Sequence, residues 1–300
     1  MKKYKIILAL IFILFADLFI LKNLFFPQNK LFVTPEFSGG DFFTVEMPLQ
    51  KINCDYVKKN KIPFWSKDIS FGYPVFAEGR IGFFNPINFI TCKFFDYKNA
   101  FKWQIILHLY LGQVGVVFLG NLLKLNILSS VFFSFLFFFS PFLLMNWMHA
   151  TMIYPFSFLP WLLFFLILFL STKKLTFYFS LIILIFFQFI SAHYQSFFIS
   201  SIFIFIFCFF YFKKNGFFTN FCWLIFAYLA AIFLAGFQLF PLIEFVKISN
   251  RSGAFSLAGL YDQNLTLKNL LTLFTPNFFG SPTDGSYHFF KGPDPWEGII

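Results

Sequence analysis

The sequence predicts an all-α polytopic membrane protein, folded as a helical bundle with about seven transmembrane helices. Hydrophobic residues make up 59% of the 300 residues and charged residues only 12%, and the mean hydropathy is +0.74. A soluble domain carries about 25% charged residues because water must wet its surface. This chain has half that share, so the composition excludes soluble, disordered and coiled-coil classes.

Seven apolar stretches approach the length needed to cross a bilayer, about 20 mostly apolar residues. They cover residues 6–26, 103–123, 127–146, 155–171, 175–192, 196–212 and 221–243. The first stretch could be a cleaved signal peptide, but it contains Asp17 and lacks a small-x-small cleavage site. We therefore predict a retained anchor and a single transmembrane domain over residues 1–300.

Charges between the stretches predict the orientation of the chain, because lysines favour the cytoplasmic side of a membrane. The connections after the second, fourth and sixth stretches contain lysines and no acid: Lys124, Lys173, Lys174, Lys213 and Lys214. Twelve of the thirteen acidic residues lie in the loop 27–102 or the tail 244–300. We predict a cytoplasmic N-terminus with loop and tail outside. Since the lysines follow topology, the net charge of +10 does not indicate nucleic-acid binding.

The outer loop 27–102 is predicted to carry two interfacial helices. Pro48 suits the first position of a helix, after which four apolar residues share one face: Leu49, Ile52, Tyr56 and Val57. Such an amphipathic helix suits the surface of a bilayer. Asn85-Pro86 signals a second start, a cap followed by proline. Leucines between positions 265 and 273 predict a further surface helix in the tail.

The four cysteines offer one candidate disulfide, which the sequence leaves open. Cys54 and Cys92 share the predicted outer loop, where oxidation can occur. Their spacing alone does not establish a bridge. Cys208 and Cys222 lie in or beside predicted spans and are interpreted as small apolar residues.

A series of short motifs runs through nearly the whole chain. They are Gly40-Asp41, Pro48, Lys61-Ile62-Pro63-Phe64-Trp65, Gly72-Tyr73-Pro74, Phe84-Asn85-Pro86, Ala192-His193-Tyr194-Gln195, Gln238-Leu239-Phe240-Pro241, Ser249-Asn250-Arg251 and Pro276 to Gly280. In order and spacing this set resembles the N-terminal part of YfhO-type bacterial membrane proteins. That family is similar to the GT-C glycosyltransferases.

The resemblance implies a GT-C-like membrane enzyme at the outer face of the bacterial cytoplasmic membrane. Such an enzyme moves a sugar from a polyprenyl-phosphate-linked donor to a polymer or lipid of the cell envelope. The expected partners are therefore this donor, this acceptor and membrane lipids, with no nucleic acid. An apolar run begins at the last residues, so we expect the chain to be the N-terminal part of a longer protein.

Asp41 is the residue that the resemblance places at the catalytic position. Sugar transfer to a hydroxyl with inversion needs a carboxylate that accepts the proton of the acceptor. Gly39 and Gly40 allow the backbone before Asp41 to approach a ligand closely. Gly-Gly-Asp alone favours an aspartate that caps the next helix. With the resemblance and the predicted outer location, we predict that Asp41 is the general base.

Glu46 and Glu36 are the alternative carboxylates. Glu46 follows Asp41 by five residues and could share a site with it, as an acceptor-binding or second carboxylate, although both glutamates also suit a solvated surface. The sequence contains no D-x-D metal motif and no histidine cluster with ligand spacing. The cofactor is therefore left unspecified, and a divalent cation stays open.

The leaving group in such a transfer is a lipid phosphate, whose negative charge needs a cation or donor placed in advance. Arg251 is the first choice because its guanidinium can grip two phosphate oxygens. Arg80, Lys247 and His193 are the further choices for phosphate or donor binding. The alternative for each cation is simple contact with lipid headgroups.

Four more polar residues have an ordinary explanation. His149, in a short outer turn, is interpreted as a side chain that wets the turn. His108 and Gln113 in the second span are predicted to hydrogen-bond between helices. Asp17 is an acid at membrane depth, which indicates function by default, but it could equally be protonated or paired within the bundle.

Two other functions remain open. A transporter or lipid flippase would keep ionisable residues in mid-membrane, whereas this chain concentrates its acids outside the predicted spans. A non-catalytic scaffold would use the outer loop only as a docking surface. The distribution of acids favours chemistry at the outer surface.

Overall fold

The computed structural model describes residues 3–24, 41–211, 217–249, 271, 275 and 278–280, and over these ranges the chain is all-α. Its α-helices are α1 Lys3–Ile20, α2 Met47–Lys58, α3 Val75–Glu78, α4 Pro86–Phe94, α5 Tyr97–Leu122, α6 Ile127–Phe138, α7 Pro141–Met145, α8 Ala150–Thr172, α9 Leu175–Phe189, α10 Tyr194–Tyr211, α11 Phe217–Leu234 and α12 Gly236–Ile248. A π-helical turn, Phe42–Glu46, precedes α2, and 3-10 turns cover Lys22–Leu24 and Trp147–His149. The described part contains no strand, only a bridge between Ser66 and Tyr73.

Several of these helices could cross a membrane. The helices α5, α8 and α10 are each long and apolar enough to span one, and α11 with α12 would add a fourth if this bent pair counts as one span. Two further apolar helices, α6 and α9, are shorter. The prediction of an all-α chain is thus confirmed, and the apolar helices agree with a membrane protein. The count of seven spans stays a prediction.

Two predicted spans are interrupted. The stretch 127–146 divides because Ser140 is extended before Pro141, and a residue that precedes proline disfavours the helical conformation. The stretch 221–243 bends by 77° between α11 and α12. The bend lies at Ala235-Gly236, and glycine weakens a helix. The helix α12 therefore turns away from α11 and packs against α3.

The longest helix, α5, lies at the centre of the bundle and contacts α1, α6 and α8. Glycines on α5 bring α6 close. A side chain at Gly112 would collide with Phe138, and one at Gly120 would collide with Ser130. Small residues allow such close approach of apolar helices, where lipid provides no hydrophobic drive for packing.

Polar side chains join the bundle helices, as predicted for His108 and Gln113. His108 Nδ1 lies 2.9 Å from Ser157 Oγ on α8. Gln113 Nε2 donates to Asp17 Oδ1 on α1 at 3.2 Å, which supplies the partner of Asp17 that the sequence did not identify. Asn85 caps α4 by accepting from the backbone N–H of Ile87 at 2.9 Å. The prediction of a cap at Asn85-Pro86 is confirmed.

The helix α2 has the predicted apolar face, but the protein itself covers that face. Leu49, Ile52 and Val57 are buried in a cluster with Val75 and Ile81, and α2 packs against α4 and α5. The prediction that this face lies on the bilayer is therefore wrong. By contrast, α4 leaves apolar side chains exposed, as an interfacial helix does: Phe89, Ile90 and Phe94.

A disulfide between Cys54 and Cys92 joins α2 to α4. It lies in the same buried cluster, next to Gln50, whose Nε2 is 3.5 Å from Cys54 Sγ. Cys208 is buried and free, and Cys222 is half-buried and free. The predicted tail helix at 265–273 lies outside the described residues, apart from position 271.

Removal of the Cys54–Cys92 disulfide should destabilise the protein. Cys54→Ser should lower the free energy of unfolding by roughly 2–4 kcal/mol, because the bridge links residues 38 apart and constrains the unfolded chain. Thermal unfolding of the purified protein in detergent measures the change, and Cys222→Ser is the matched control. An unchanged melting temperature for Cys54→Ser would contradict the role of the bridge.

Candidate functional site

Charged and polar side chains from four segments meet at the end of the bundle where α8 and α10 begin. We call this group the carboxylate–arginine cluster. Its members are Asp41, Glu46, Glu78, Arg80, His149, Thr151 and His193. The helix α8 is 23 residues long, about 34 Å at 1.5 Å per residue. Lys173 at its other end therefore lies far from the cluster.

The two carboxylates nearest the start of α2 bracket the π-helical turn. The backbone N–H of Met47 donates to the carbonyl of Phe42 and closes this turn. Such π-helical turns are rare in proteins, and those that occur are often found at functional sites. Glu46 is buried, whereas Asp41 is exposed. Asp41 makes no side-chain capping hydrogen bond, so the interpretation of this residue as a helix cap does not hold.

Glu46 is the most enclosed member of the cluster. Its Oε1 accepts from Arg80 Nη2 at 2.6 Å and from Thr151 Oγ1 at 3.4 Å, and His149 Nδ1 lies 3.6 Å away. Burial alone would raise the pKa of Glu46, but His149 and the Arg80 guanidinium outweigh it and hold the pKa below its ordinary value. Glu46 is thus a buried carboxylate with its charge matched.

The chain between α3 and α4 fixes Arg80. Gly79 ends α3 in the left-handed conformation, with φ +75°. A side chain there would collide with Tyr194 and Gln238, and Gln238 Nε2 donates to the carbonyl of Phe76 at 2.7 Å. Glycine is therefore required by both backbone and packing. The start of α10 and the bend of α12 hold the segment that carries Arg80.

Arg80 is surrounded by acidic groups. Burial opposes its charge, but the charges of Glu46, Glu78 and Asp41 outweigh burial and raise the pKa of Arg80. Its Nε is buried and has no hydrogen-bond partner among the described residues. The guanidinium is therefore permanently charged and keeps one donor that no described group uses.

His193 has a structural role in addition to its place in the cluster. Its Nδ1 accepts from the backbone N–H of Ser196 at 3.1 Å, which caps the start of α10. Burial and the nearby charge of Arg80 lower the pKa of His193 to about 4 from 6.5. His193 is therefore neutral at pH 7, with its proton on Nε2, and can act as a donor but not as a cation.

The cluster carries more negative than positive charge. Three carboxylates face Arg80, and the neutral His193 adds no cation. An anion such as phosphate would be repelled by this surplus unless further cations approached. Among the described residues, no group of three or more His, Cys, Asp or Glu side chains could hold a metal ion. The described cluster suits a neutral, hydroxyl-bearing ligand better than a phosphate.

The structure brings together four of the six predicted site residues: Asp41, Glu46, Arg80 and His193. Lys247 is exposed on α12 and forms no salt bridge within the described part of the chain. Arg251, the sixth, lies outside the described residues, as does the alternative carboxylate Glu36.

Sequence reasoning missed His149 and Glu78. His149 was interpreted as wetting a turn, yet it lies against Glu46. The signal was its place on the predicted outer side of the membrane, where the acids are also concentrated. Glu78 shares a hydrogen bond with Tyr73 and acts on Arg80; its signal was its position two residues before that arginine.

Comparisons of the chain with protein-family models, with curated proteins and with solved structures gave no match.

Loss of Arg80 should leave a buried, uncompensated charge. Arg80→Ala should destabilise the protein by about 3–5 kcal/mol because Glu46 loses its principal partner. Adding Glu46→Gln to that variant should restore most of the loss, since the amide carries no charge. Thermal unfolding in detergent measures both, with Lys247→Ala as the exposed control. Equal instability of the single and double variants would contradict the pairing.

The same pair should make stability depend on acid. Because the folded-state pKa of Glu46 is below 4.5, its contribution is complete above pH 4.5. It is lost as pH falls through the lower folded value. Glu46→Gln should remove this component, while Asp55→Asn on the exposed face of α2 should not. Unfolding midpoints from pH 7 to pH 3 test the difference.

Proposed function

We propose that the chain is a GT-C-like membrane glycosyltransferase related to the YfhO type. It would transfer a sugar from a polyprenyl-phosphate donor to a cell-envelope acceptor at the outer face of the bacterial cytoplasmic membrane. The observation that carries the proposal is the convergence of Asp41, Glu46, Arg80 and His193. These residues come from three separate segments and meet at one end of an apolar bundle, where a lipid-borne headgroup would meet a water-borne acceptor.

Asp41 is the better base of the two central carboxylates. It is exposed and therefore accessible to an acceptor hydroxyl. Glu46 is buried, bound to Arg80 and Thr151, and its pKa is lowered, all of which weaken it as a proton acceptor. In this mechanism Asp41 takes the hydroxyl proton, the hydroxyl oxygen bonds to the anomeric carbon, and the bond from that carbon to the phosphate oxygen breaks. Glu46 positions Arg80.

The leaving phosphate needs more positive charge than the cluster provides. We assign this role to Arg251, with Lys247 as a second cation. The end of α12 supports the assignment, since Phe245 packs edge-on against Tyr73 of the loop with ring centroids 5.6 Å apart. Ser249, the last described residue before Arg251, follows α12 directly. His193 would contribute its Nε2–H to an oxygen of the donor or acceptor.

An apolar cavity supports a lipid-linked substrate. It has a volume of about 390 Å³ and lies between α5, α6, α8 and α10. Its wall is formed by apolar groups, including those of Val116, Phe137, Leu163 and Phe203. A hydrocarbon chain matches this lining because it has no polar group to leave unsatisfied. The bundle thus offers space for the tail of a lipid carrier.

Asp41→Asn should abolish transfer while leaving the protein in the membrane. Removal of a general base costs about 10²–10⁴-fold in rate, and asparagine keeps the shape without the basic oxygen. Release of polyprenyl phosphate from a radiolabelled polyprenyl-phosphate sugar in membranes measures the rate. Asp55→Asn is the matched control, an exposed aspartate on α2. Full transfer by Asp41→Asn would refute the assignment.

Arg251→Lys should weaken use of the donor far more than membrane insertion, because lysine cannot grip two phosphate oxygens in one plane. The Michaelis constant for the donor in the same assay measures this, and Lys247→Arg provides a charge-conserving comparison. Equal activity of Arg251→Lys and wild type would count against the assignment. Counterflow of the donor in vesicles, with no sugar transfer, would favour a flippase instead.

A further inference from the structure

Asp17 and Gln113 form an isolated polar contact between α1 and α5. Asp17 is fully buried, and its Oδ1 accepts from Gln113 Nε2 at 3.2 Å. The two remaining oxygens of this pair, Asp17 Oδ2 and Gln113 Oε1, are also buried and have no hydrogen-bond partner among the described residues. Buried polar atoms nearly always have a hydrogen-bond partner, so two oxygens without a partner in one pair need an explanation.

The surroundings do not favour an ionised carboxylate. No salt bridge among the described residues includes Asp17. Lys22, five residues along, lies over the ring of Phe19 instead, 4.4 Å from its centroid. On α5, Tyr110 interacts electrostatically with Asp17, and its hydroxyl donates to the carbonyl of Leu10. The facing helix α6 carries no titratable residue.

A group of buried apolar side chains packs between these same helices. Ala9 and Ile13 of α1 are buried together with Val117 of α5 and Val131 of α6. An unpaired carboxylate among such side chains would lose its hydration without a compensating charge. A neutral carboxylic acid would lose much less.

We propose that Asp17 binds a resident proton on Oδ2 and forms a reciprocal pair with Gln113. The acid O–H donates to Gln113 Oε1, while Gln113 Nε2 donates to Asp17 Oδ1. A carboxylic acid and a carboxamide each offer one donor beside one acceptor, so a single proton satisfies both orphan oxygens. The pair is then an uncharged latch that joins α1 to α5.

This latch does not rest on the proposed sugar transfer, because it shares no residue with the carboxylate–arginine cluster. The pair also distinguishes two roles that a protonated acid at membrane depth could have. A proton that closes a reciprocal pair is held in place and is part of the fold. A proton that is carried across the membrane would have to leave the pair in each cycle.

Infrared difference spectroscopy of the protein in lipid bilayers at neutral pH tests the proton directly. The wild type minus Asp17→Asn spectrum should show the carbonyl band of a protonated carboxyl. Gln113→Leu should move that band to higher frequency, because its hydrogen bonds are lost. A wild-type difference spectrum with only ionised carboxylate bands would overturn the proposal. So would a carboxyl band that Gln113→Leu leaves in place.

Thermal unfolding supplies a second measurement. Asp17→Asn should keep the wild-type melting temperature, because its amide group can still donate to Gln113 Oε1 and accept from Nε2. Asp17→Ala should lower the melting temperature, since Gln113 then stays buried without partners. If Asp17→Asn were as unstable as Asp17→Ala, an ionised Asp17 with a partner of its own would replace the latch. Asp55→Asn serves as the control for both measurements.

Discussion

The site depends on one ion pair, between the buried Glu46 and the half-buried Arg80. A carboxylate enclosed by protein is tolerable only while a cation stays beside it, so every segment that fixes Arg80 also protects Glu46. Gly79 allows the turn that presents Arg80, and the packing of Tyr194 and Gln238 against that turn determines its place. The ends of the helices are therefore held together at this pair, because separating Arg80 from Glu46 would leave the buried carboxylate without a compensating charge.

The same constraint explains how the chain divides its polar groups. Inside the bundle, polar side chains pair across helices, as His108 does with Ser157. At the end of the bundle, Glu46 accepts from Arg80 and Thr151, whereas Asp41 stays exposed. One acid thus maintains the arrangement and the other remains free to react. Two carboxylates five residues apart acquire different properties because one is enclosed and the other is not.

Local signals in the sequence predicted the parts of this structure that depend on neighbouring residues. Asn85-Pro86 specifies its helix start through a side chain and a ring within one turn, and such signals are visible along the chain. The sequence did not show that protein covers the apolar face of α2, because an apolar face on a helix does not reveal whether lipid or protein lies against it. The bend at Gly236 was missed for a similar reason, since an apolar stretch continues across it.

The acidic residues of the candidate site could be predicted from the sequence, whereas the residues that contact them were harder to predict. Asp41 and Glu46 are close in sequence, but His149 contacts Glu46 only because α8 begins beside the loop. The charge balance then limits what the cluster can bind. With three carboxylates around one guanidinium, a hydroxyl can approach Asp41 at little electrostatic cost, while a phosphate needs further cations. Since α12 ends against the loop at Tyr73, the proposed function assigns these cations to Lys247 and Arg251. In this arrangement the loop would receive the acceptor, and the tail would hold the departing phosphate.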